Sequence, residues 1–190
     1  TDELQDDGSA IIKAMELTGV LVTYKDTAIF ITRYTGNPAD PFSNERVYKD
    51  DGMRALFYRN TLSKVGQKSH VYGGRDEFYE FNLISREPVL FRPFVGAMDV
   101  FYSEADLTDT NLIFAAHNLL TQEIFFCFPS STSDKALIYD AKWGTQRTTS
   151  AEYTAMATVK KPEAGAVTGV QQDWCLMGLS NGSVMRYGLA

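Results

Sequence analysis

Apolar and β-branched residues in this 190-residue chain fall in short runs, separated by turns rich in Gly, Pro, Asn and Asp. Runs of four to eight such residues between turn signals are typical of β-strands. The clearest case is residues 173–179 and 183–187, which flank Asn181-Gly182, a dipeptide that suits a tight hairpin turn. The pattern predicts an antiparallel all-β protein built from successive hairpins.

Other runs repeat this arrangement along the chain. The predicted strands are residues 19–24 and 28–34, 70–72 and 77–81, 111–117 and 123–128, and 135–140, with weaker signals at 11–16, 46–48, 89–91 and 153–159. Residues 35–42 and 160–169 are predicted loops because they carry Gly and Pro, and 118–122 is a polar turn. Within 95–107, the apolar spacing fits a short helix better than a strand.

Three or four sheet units fit in the chain, so each occupies about 45 residues, the period of a β-propeller blade. The predicted fold is therefore all-β, with antiparallel hairpin blades of a complete or an incomplete propeller, and a β-sandwich is the alternative. Residues 1–10 are expected to be a flexible N-terminal segment, and 11–190 a propeller-like region of about four sheet units. The chain begins at Thr1 and not at Met, which indicates either processing or a longer polypeptide.

Composition narrows the function classes. The net charge of −6 gives no electrostatic footprint for wrapping nucleic acid. No apolar stretch reaches the roughly 18 residues of a membrane span, so no membrane association is predicted.

The residues that carry chemistry form no recognisable site. Cys127 and Cys175 lie in apolar runs and are expected to be buried thiols. His70 and His117 lie in predicted strands and lack a second ligand at metal-binding spacing, so His117 is interpreted as a hydrogen-bonded sheet residue. The adjacent acidic pairs are interpreted as solvated turn residues: Asp6-Asp7, Asp50-Asp51 and Asp76-Glu77. No nucleophile elbow or phosphate-binding loop occurs, so the prediction is no catalytic, cofactor-binding or metal site, and no enzyme activity.

Two segments carry a family resemblance. Residues 70–81, His-Val-Tyr-Gly-Gly-Arg-Asp-Glu-Phe-Tyr-Glu-Phe, and residues 123–140, with Phe128-Pro129 and then Ala-Leu-Ile-Tyr-Asp, resemble the β-propeller tail-tube or nozzle proteins of short-tailed bacteriophages. The similarity runs from about Val65 to Thr148 and includes the short helical stretch between the segments. The chain departs from the family pattern at Asp76-Glu77, where the family often has Asp-Gly, and at Trp143, which comes early.

The resemblance implies a non-enzymatic structural protein of the virion tail, assembled in the host cytoplasm. It implies a homo-oligomeric ring that lines or extends the DNA exit channel, with phage adaptor and tail fibre or needle proteins as partners. DNA would pass through transiently without specific binding, which the acidic net charge suits. The motifs are core strands and turns, so they support the fold more than the function.

Two other functions stay open at the level of sequence. One is a carbohydrate-binding or glycan-degrading β domain, which would show a surface row of Trp and Tyr with paired carboxylates. The other is a generic cellular propeller scaffold.

Overall fold

Four antiparallel sheets build the protein. The structure is a computed structural model, and it describes residues 9–50, 52–118, 121–130, 135–150, 153–161, 172–179 and 181–187. Each sheet is a meander in which consecutive strands are hydrogen-bonded neighbours. The predicted fold class, all-β with antiparallel hairpin blades, is confirmed.

The first two sheets have four strands each. Sheet 1 contains β1 (Ile11–Leu17), β2 (Val20–Lys25), β3 (Ala28–Tyr34) and β4 (Phe42–Lys49). Sheet 2 contains β5 (Ser63–Val65), β6 (Ser69–Gly73), β7 (Phe78–Asn82) and β8 (Val89–Leu90). Short 3₁₀ turns at Arg59–Thr61 and Arg92–Phe94 flank sheet 2.

The helix α1 (Ala97–Glu104) and a 3₁₀ turn at Thr110–Leu112 precede the other two sheets. Sheet 3 contains β9 (Phe114–Asn118), β10 (Glu123–Phe128), β11 (Lys135–Asp140) and β12 (Thr145–Ser150). Sheet 4 has three strands in the described residues: β13 (Tyr153–Lys161), β14 (Gln172–Leu179) and β15 (Val184–Tyr187). No helix in the described part of the chain is long and apolar enough to cross a membrane.

The chain divides into two compact units, Thr1–Met98 and Asp99–Ala190. In the first unit, buried residues of sheets 1 and 2 form one core. Tyr24 of β2 packs edge-on against Tyr72 of β6 and Phe81 of β7, with ring centroids 5.1 and 6.1 Å apart. Such edge-to-face pairs add to the stabilisation from area burial alone.

In the second unit, the alternating residues of β10 serve two layers, because successive side chains of a strand point to opposite faces. Phe125 and Cys127 share a core with residues of sheet 4. Phe126 and Phe128 pack instead against Phe101 of α1, with ring centroids 5.7 and 5.2 Å away. All six residues of β10 are buried, as expected of a strand covered on both faces.

Several predicted boundaries are wrong. Residues 111–112 are not strand but part of the 3₁₀ turn, because the Asp109 side chain accepts a hydrogen bond from the Asn111 N–H and caps it. Residues 160–161 belong to β13, while 162–169 of that predicted loop lie outside the described residues. The fourth strand of sheet 1 begins at Phe42, which was assigned to a loop.

The helix predicted within 95–107 is confirmed as α1. Residues 1–8 of the predicted flexible segment lie outside the described part. The assignment of 11–190 to one propeller-like region stays a prediction.

Candidate functional site

The most exposed large apolar side chains lie at equivalent places in the three four-stranded sheets. We call the turns between the third and fourth strands the outer turns: residues 35–41, 83–88 and 141–144. Among the described residues, Ile84 is 93% exposed, and Tyr34 and Trp143 are each 71% exposed, more than any other large apolar side chain. Ile84 and Trp143 lie within outer turns, and Tyr34 directly precedes one. Large apolar side chains left exposed in this way are candidates for contact with another molecule.

Two outer turns share one hydrogen-bonding scheme. The Asn82 side-chain oxygen accepts from the N–H groups of Ile84 and Ser85, at 2.9 and 2.8 Å. Its backbone oxygen accepts from the N–H of Arg86 at 3.1 Å, and Arg86 has a φ of +56°. The third strand therefore ends in an Asx turn that is closed by a left-handed residue.

The turn after β11 repeats that geometry. The Asp140 carboxylate accepts from the N–H groups of Lys142 and Trp143, at 2.9 and 3.1 Å. The Asp140 backbone oxygen accepts from Gly144 at 2.8 Å, and Gly144 has a φ of +66°. The ammonium of Lys142 lies 5.0 Å from the centroid of the Trp143 ring. In both turns, an apolar side chain points to solvent while three N–H groups of the turn are hydrogen-bonded to the residue that ends the strand.

The first outer turn is held differently. Tyr34 and Phe42 are the last cross-strand pair of β3 and β4, and their rings stand edge-to-face with centroids 5.9 Å apart. Between them, the Thr35 N–H donates to the Pro41 oxygen at 2.9 Å, and the Asn37 side chain accepts from the Ala39 N–H at 3.1 Å. The exposed aromatic pair is therefore anchored by a closed loop.

An ion cluster ties one outer turn, residues 83–88, to sheet 1 within the first unit. Both carboxylate oxygens of Glu45 on β4 accept from the guanidinium of Arg86, at 2.8 and 3.0 Å. Arg33 on β3 donates to the same carboxylate at 2.8 Å. Hydrogen bonds from Arg33, and then from Arg86, lower the pKa of Glu45. The cluster fixes the turn that carries Ile84 beside the strands that carry Tyr34 and Phe42.

A second polar cluster lies in the other unit, where it ties sheet 3 to sheet 4. The buried Glu123 accepts from Arg147 of β12 and from the Thr121 hydroxyl. The same Arg147 donates to the hydroxyl of Tyr187 on β15 at 3.0 Å. Burial, and next the Glu123 charge, raise the pKa of Tyr187. Arg147 thus pairs with the buried carboxylate and at the same time positions Tyr187 of β15.

His70 is a buried structural residue. Its Nδ1 lies 2.9 Å from the Tyr24 hydroxyl, and its Nε2 lies 3.1 Å from the Glu16 backbone oxygen. Since a carbonyl oxygen only accepts, Nε2 carries the proton and Nδ1 accepts from Tyr24. Burial is the main cause that lowers the pKa of His70, to about 4. The ring is therefore neutral near pH 7 and links β1, β2 and β6.

The two cysteines lie in one core of the second unit. Cys127 and Cys175 are both buried, as predicted. His117 lies in β9. Within the described ranges, no group of three or more His, Cys, Asp or Glu side chains could hold a metal ion.

The acidic pairs serve local structure where they are described. The Asp76 carboxylate accepts from the Tyr79 hydroxyl at 2.8 Å, and the Glu77 carboxylate accepts from the Gly96 N–H before α1 at 3.2 Å. Asp50 accepts from the Tyr48 hydroxyl at 2.6 Å. Asp51, Asp6 and Asp7 lie outside the described residues.

Sequence reasoning missed the outer turns as a shared feature. Asn82 and Asp140 each end a strand, and each is followed four residues later by a residue in the left-handed conformation. The sequence shows this only at Gly144, because Arg86 adopts a conformation that glycine usually takes.

The described residues thus define an all-β protein of antiparallel blade-like sheets. No protein-family profile matches the chain, and no curated protein matches it. Among solved structures, the crystal structure of TolB from Acinetobacter baumannii is similar, with 12% sequence identity and a TM-score of 0.48. The alignment covers 94% of this chain and 43% of that one, so this chain spans less than half the length of TolB. A likeness this distant carries no argument about function.

Proposed function

We propose that this chain is a structural virion protein of a short-tailed phage, part of the tail tube or nozzle. In this role it forms a homo-oligomeric ring that lines or extends the DNA exit channel. Adaptor and tail fibre or needle proteins are its neighbours, and assembly takes place in the host cytoplasm. The observation that supports the proposal is the set of outer turns, where large apolar side chains are exposed to solvent on turns closed by hydrogen bonds.

Exposed apolar side chains suit a protein that binds other subunits through them. Burying one Ile or aromatic side chain in an interface is worth about 1.5–3 kcal/mol. The turn of Ile84 is preorganised by Asn82 and by the Arg86–Glu45 ion pair, so little ordering cost opposes binding. Tyr and Arg are also enriched at the centres of protein interfaces, and both occur here.

Residues 70–81 and 123–140, the two segments that resemble the phage tail proteins, also support the proposal. In the first, Tyr79 and Phe81 face the core while Phe78 faces Phe94, with ring centroids 5.0 Å apart. Position 74 requires glycine, because a Cβ there would lie 2.9 Å from the Met53 backbone oxygen. The motif residues of this segment therefore lie in core strands and a tight turn of sheet 2. The charge of −6 also suits a channel through which DNA passes without being gripped.

Light scattering coupled to size exclusion, followed by electron microscopy of the eluted peak, tests the proposal. We expect a single oligomer with rotational symmetry in class averages. A protein that stays monomeric at high micromolar concentration refutes the ring.

The outer turns are tested by a variant with Tyr34→Ser, Ile84→Ser and Trp143→Ser. We expect weaker assembly with an unchanged far-UV circular dichroism spectrum, since these side chains contribute little to either core. Leu112→Ser is the matched control, because Leu112 is also exposed but lies outside the outer turns. Equal assembly of the triple variant and the control would contradict a role for the turns in subunit contacts.

Carbohydrate binding is the second candidate, and the exposed rings of Tyr34, Phe42 and Trp143 favour it. Sugar rings stack on exposed aromatic faces, so a glycan array is the direct test. A clear hit that Trp143→Ser abolishes, combined with a monomeric protein, would favour this function over the ring.

A further inference from the structure

Two basic side chains of the first unit lie near each other without a described acidic partner. They are Lys13 of β1 and Arg59, the first residue of the 3₁₀ turn that precedes β5. Burial, and next the charge of Arg59, lower the pKa of Lys13, so the guanidinium is near enough to repel the ammonium. In the part of the chain that the structure describes, no carboxylate forms an ion pair with either side chain.

The contacts between β1 and sheet 2 explain why these two residues are neighbours. Two side-chain hydrogen bonds join β1 and the turn after it to β5 and the turn after it: Lys64 to the Glu16 carboxylate at 2.6 Å, and Thr18 to the Gln67 oxygen at 2.6 Å. They span 48 and 49 residues of sequence, so β1 and β5 run side by side in the same direction. The same offset brings Lys13 beside Thr61, the last residue of the turn that carries Arg59.

The backbone on both sides of this basic pair is well fixed. The Thr61 hydroxyl donates to the Tyr58 oxygen at 2.7 Å and accepts from the Gly73 N–H of β6 at 2.9 Å. Thr61 and Tyr58 are both buried, so the turn that carries Arg59 is held against sheet 2. Lys13 is half-buried and lies in the ladder between β1 and β2. A ligand therefore has only the two side-chain ends to order.

We propose that Lys13 and Arg59 form a binding site for a phosphate group, either of inorganic phosphate or of a nucleic-acid backbone. The Arg guanidinium presents a planar fork of N–H donors that suits phosphate oxygens, and the Lys ammonium adds a compact positive charge. A phosphate held between the two groups accepts hydrogen bonds from both and offsets their mutual repulsion. Two adjacent positive charges also favour an anion with two negative charges over a carboxylate with one.

Lysine-selective NMR tests the site during titration with sodium phosphate, at an ionic strength kept constant with sodium chloride. We expect the side-chain signals of Lys13 to shift and saturate, and the pKa of Lys13 to rise, because the bound anion favours the charged ammonium. Lys68 is the internal reference, since it is exposed in the turn between β5 and β6. Its signals should not saturate.

Substitutions at the two positions test the same site by affinity. Lys13→Gln and Arg59→Gln should each weaken phosphate binding about tenfold, the order of one charge-assisted hydrogen bond. Lys68→Gln is the matched control, because it removes one positive charge from the same unit and should leave the affinity unchanged. Without phosphate, Lys13→Gln and Arg59→Gln should unfold in urea at or above the wild-type midpoint, since each removes a repulsion. This result separates loss of the site from loss of folding.

A labelled DNA duplex distinguishes the two sources of phosphate by fluorescence anisotropy at low salt. Binding that Lys13→Gln weakens and Lys68→Gln does not would assign the site to backbone phosphates. A response to inorganic phosphate alone would assign it to a free anion. The site does not depend on the proposed ring, so a monomeric protein that binds phosphate refutes the ring and keeps the site.

Three results would overturn the phosphate site. One is a wild-type protein that binds neither inorganic phosphate nor the duplex. Another is a control, Lys68→Gln, that weakens binding as much as Lys13→Gln does. The third is a pKa of Lys13 that phosphate leaves unmoved.

Discussion

Acid should selectively weaken the first unit through His70. Burial lowers the pKa of this residue from 6.5 to about 4, so the folded state disfavours the protonated ring. The unfolded chain then binds more protons than the folded protein between those two values. Stability is therefore fully present above about pH 6.5 and falls as the pH drops toward 4.

The size of the effect follows from the two pKa values. Integrating proton uptake from pH 7 to pH 5 gives a loss of about 2 kcal/mol from this residue alone. Urea denaturation at pH 7 and at pH 5, monitored with signals from residues of the first unit, measures this loss in the free energy of unfolding. His70→Gln can keep a hydrogen bond to the Glu16 carbonyl and cannot titrate, so its loss between pH 7 and 5 should be smaller by that amount.

His117→Gln is the matched control, since it removes the other histidine, in the second unit. Proton NMR titration of the wild-type protein supplies a direct value for each ring. The reasoning is refuted if His70 titrates near 6.5 in the folded protein. An unchanged pH dependence in His70→Gln would refute it equally.

Three further outcomes follow from packing. Gly74→Ala should destabilise the protein by about 1–3 kcal/mol in urea unfolding, because the added Cβ would press on the Met53 oxygen. Phe101→Ala should cost about 3–5 kcal/mol, as it empties the aromatic layer between α1 and β10; a loss below 1 kcal/mol would show that this layer is not packed. Cys127 and Cys175 should react with Ellman's reagent only after denaturant is added, and rapid labelling of the native protein would contradict their burial.

Strands with buried faces were predictable from sequence. β10 and β11 have the predicted limits, because a run such as 123–128 has few other ways to bury its aromatic residues. β12 was missed: its sequence Thr-Gln-Arg-Thr-Thr-Ser has no apolar residue, and its pairing with β11 is set by the Asp140 turn. An edge strand is held by backbone hydrogen bonds in one register, and these bonds do not require alternating apolar residues in its sequence.

The candidate surfaces were harder to predict for a related reason. Exposed residues such as Ile84 and Val184 look like core residues in a sequence, and only the completed sheet shows that nothing described covers them. The expected family resemblance did not help, because the motifs on which it rests are core strands and turns.

In the Asx turns, the backbone conformation depends little on which side chains stand at the tip. At residues 82–86 and 140–144, the hydrogen bonds to the strand-ending residue run from backbone N–H groups to Asn82 or Asp140. Leu83 packs against the core and the Ser85 hydroxyl donates to the Glu87 oxygen, but the side chains at 84 and 141–143 take no part in these bonds and can change with little effect on folding. A lineage could exchange one binding partner for another by substituting these tips, and an engineer could graft short recognition sequences there for the same reason.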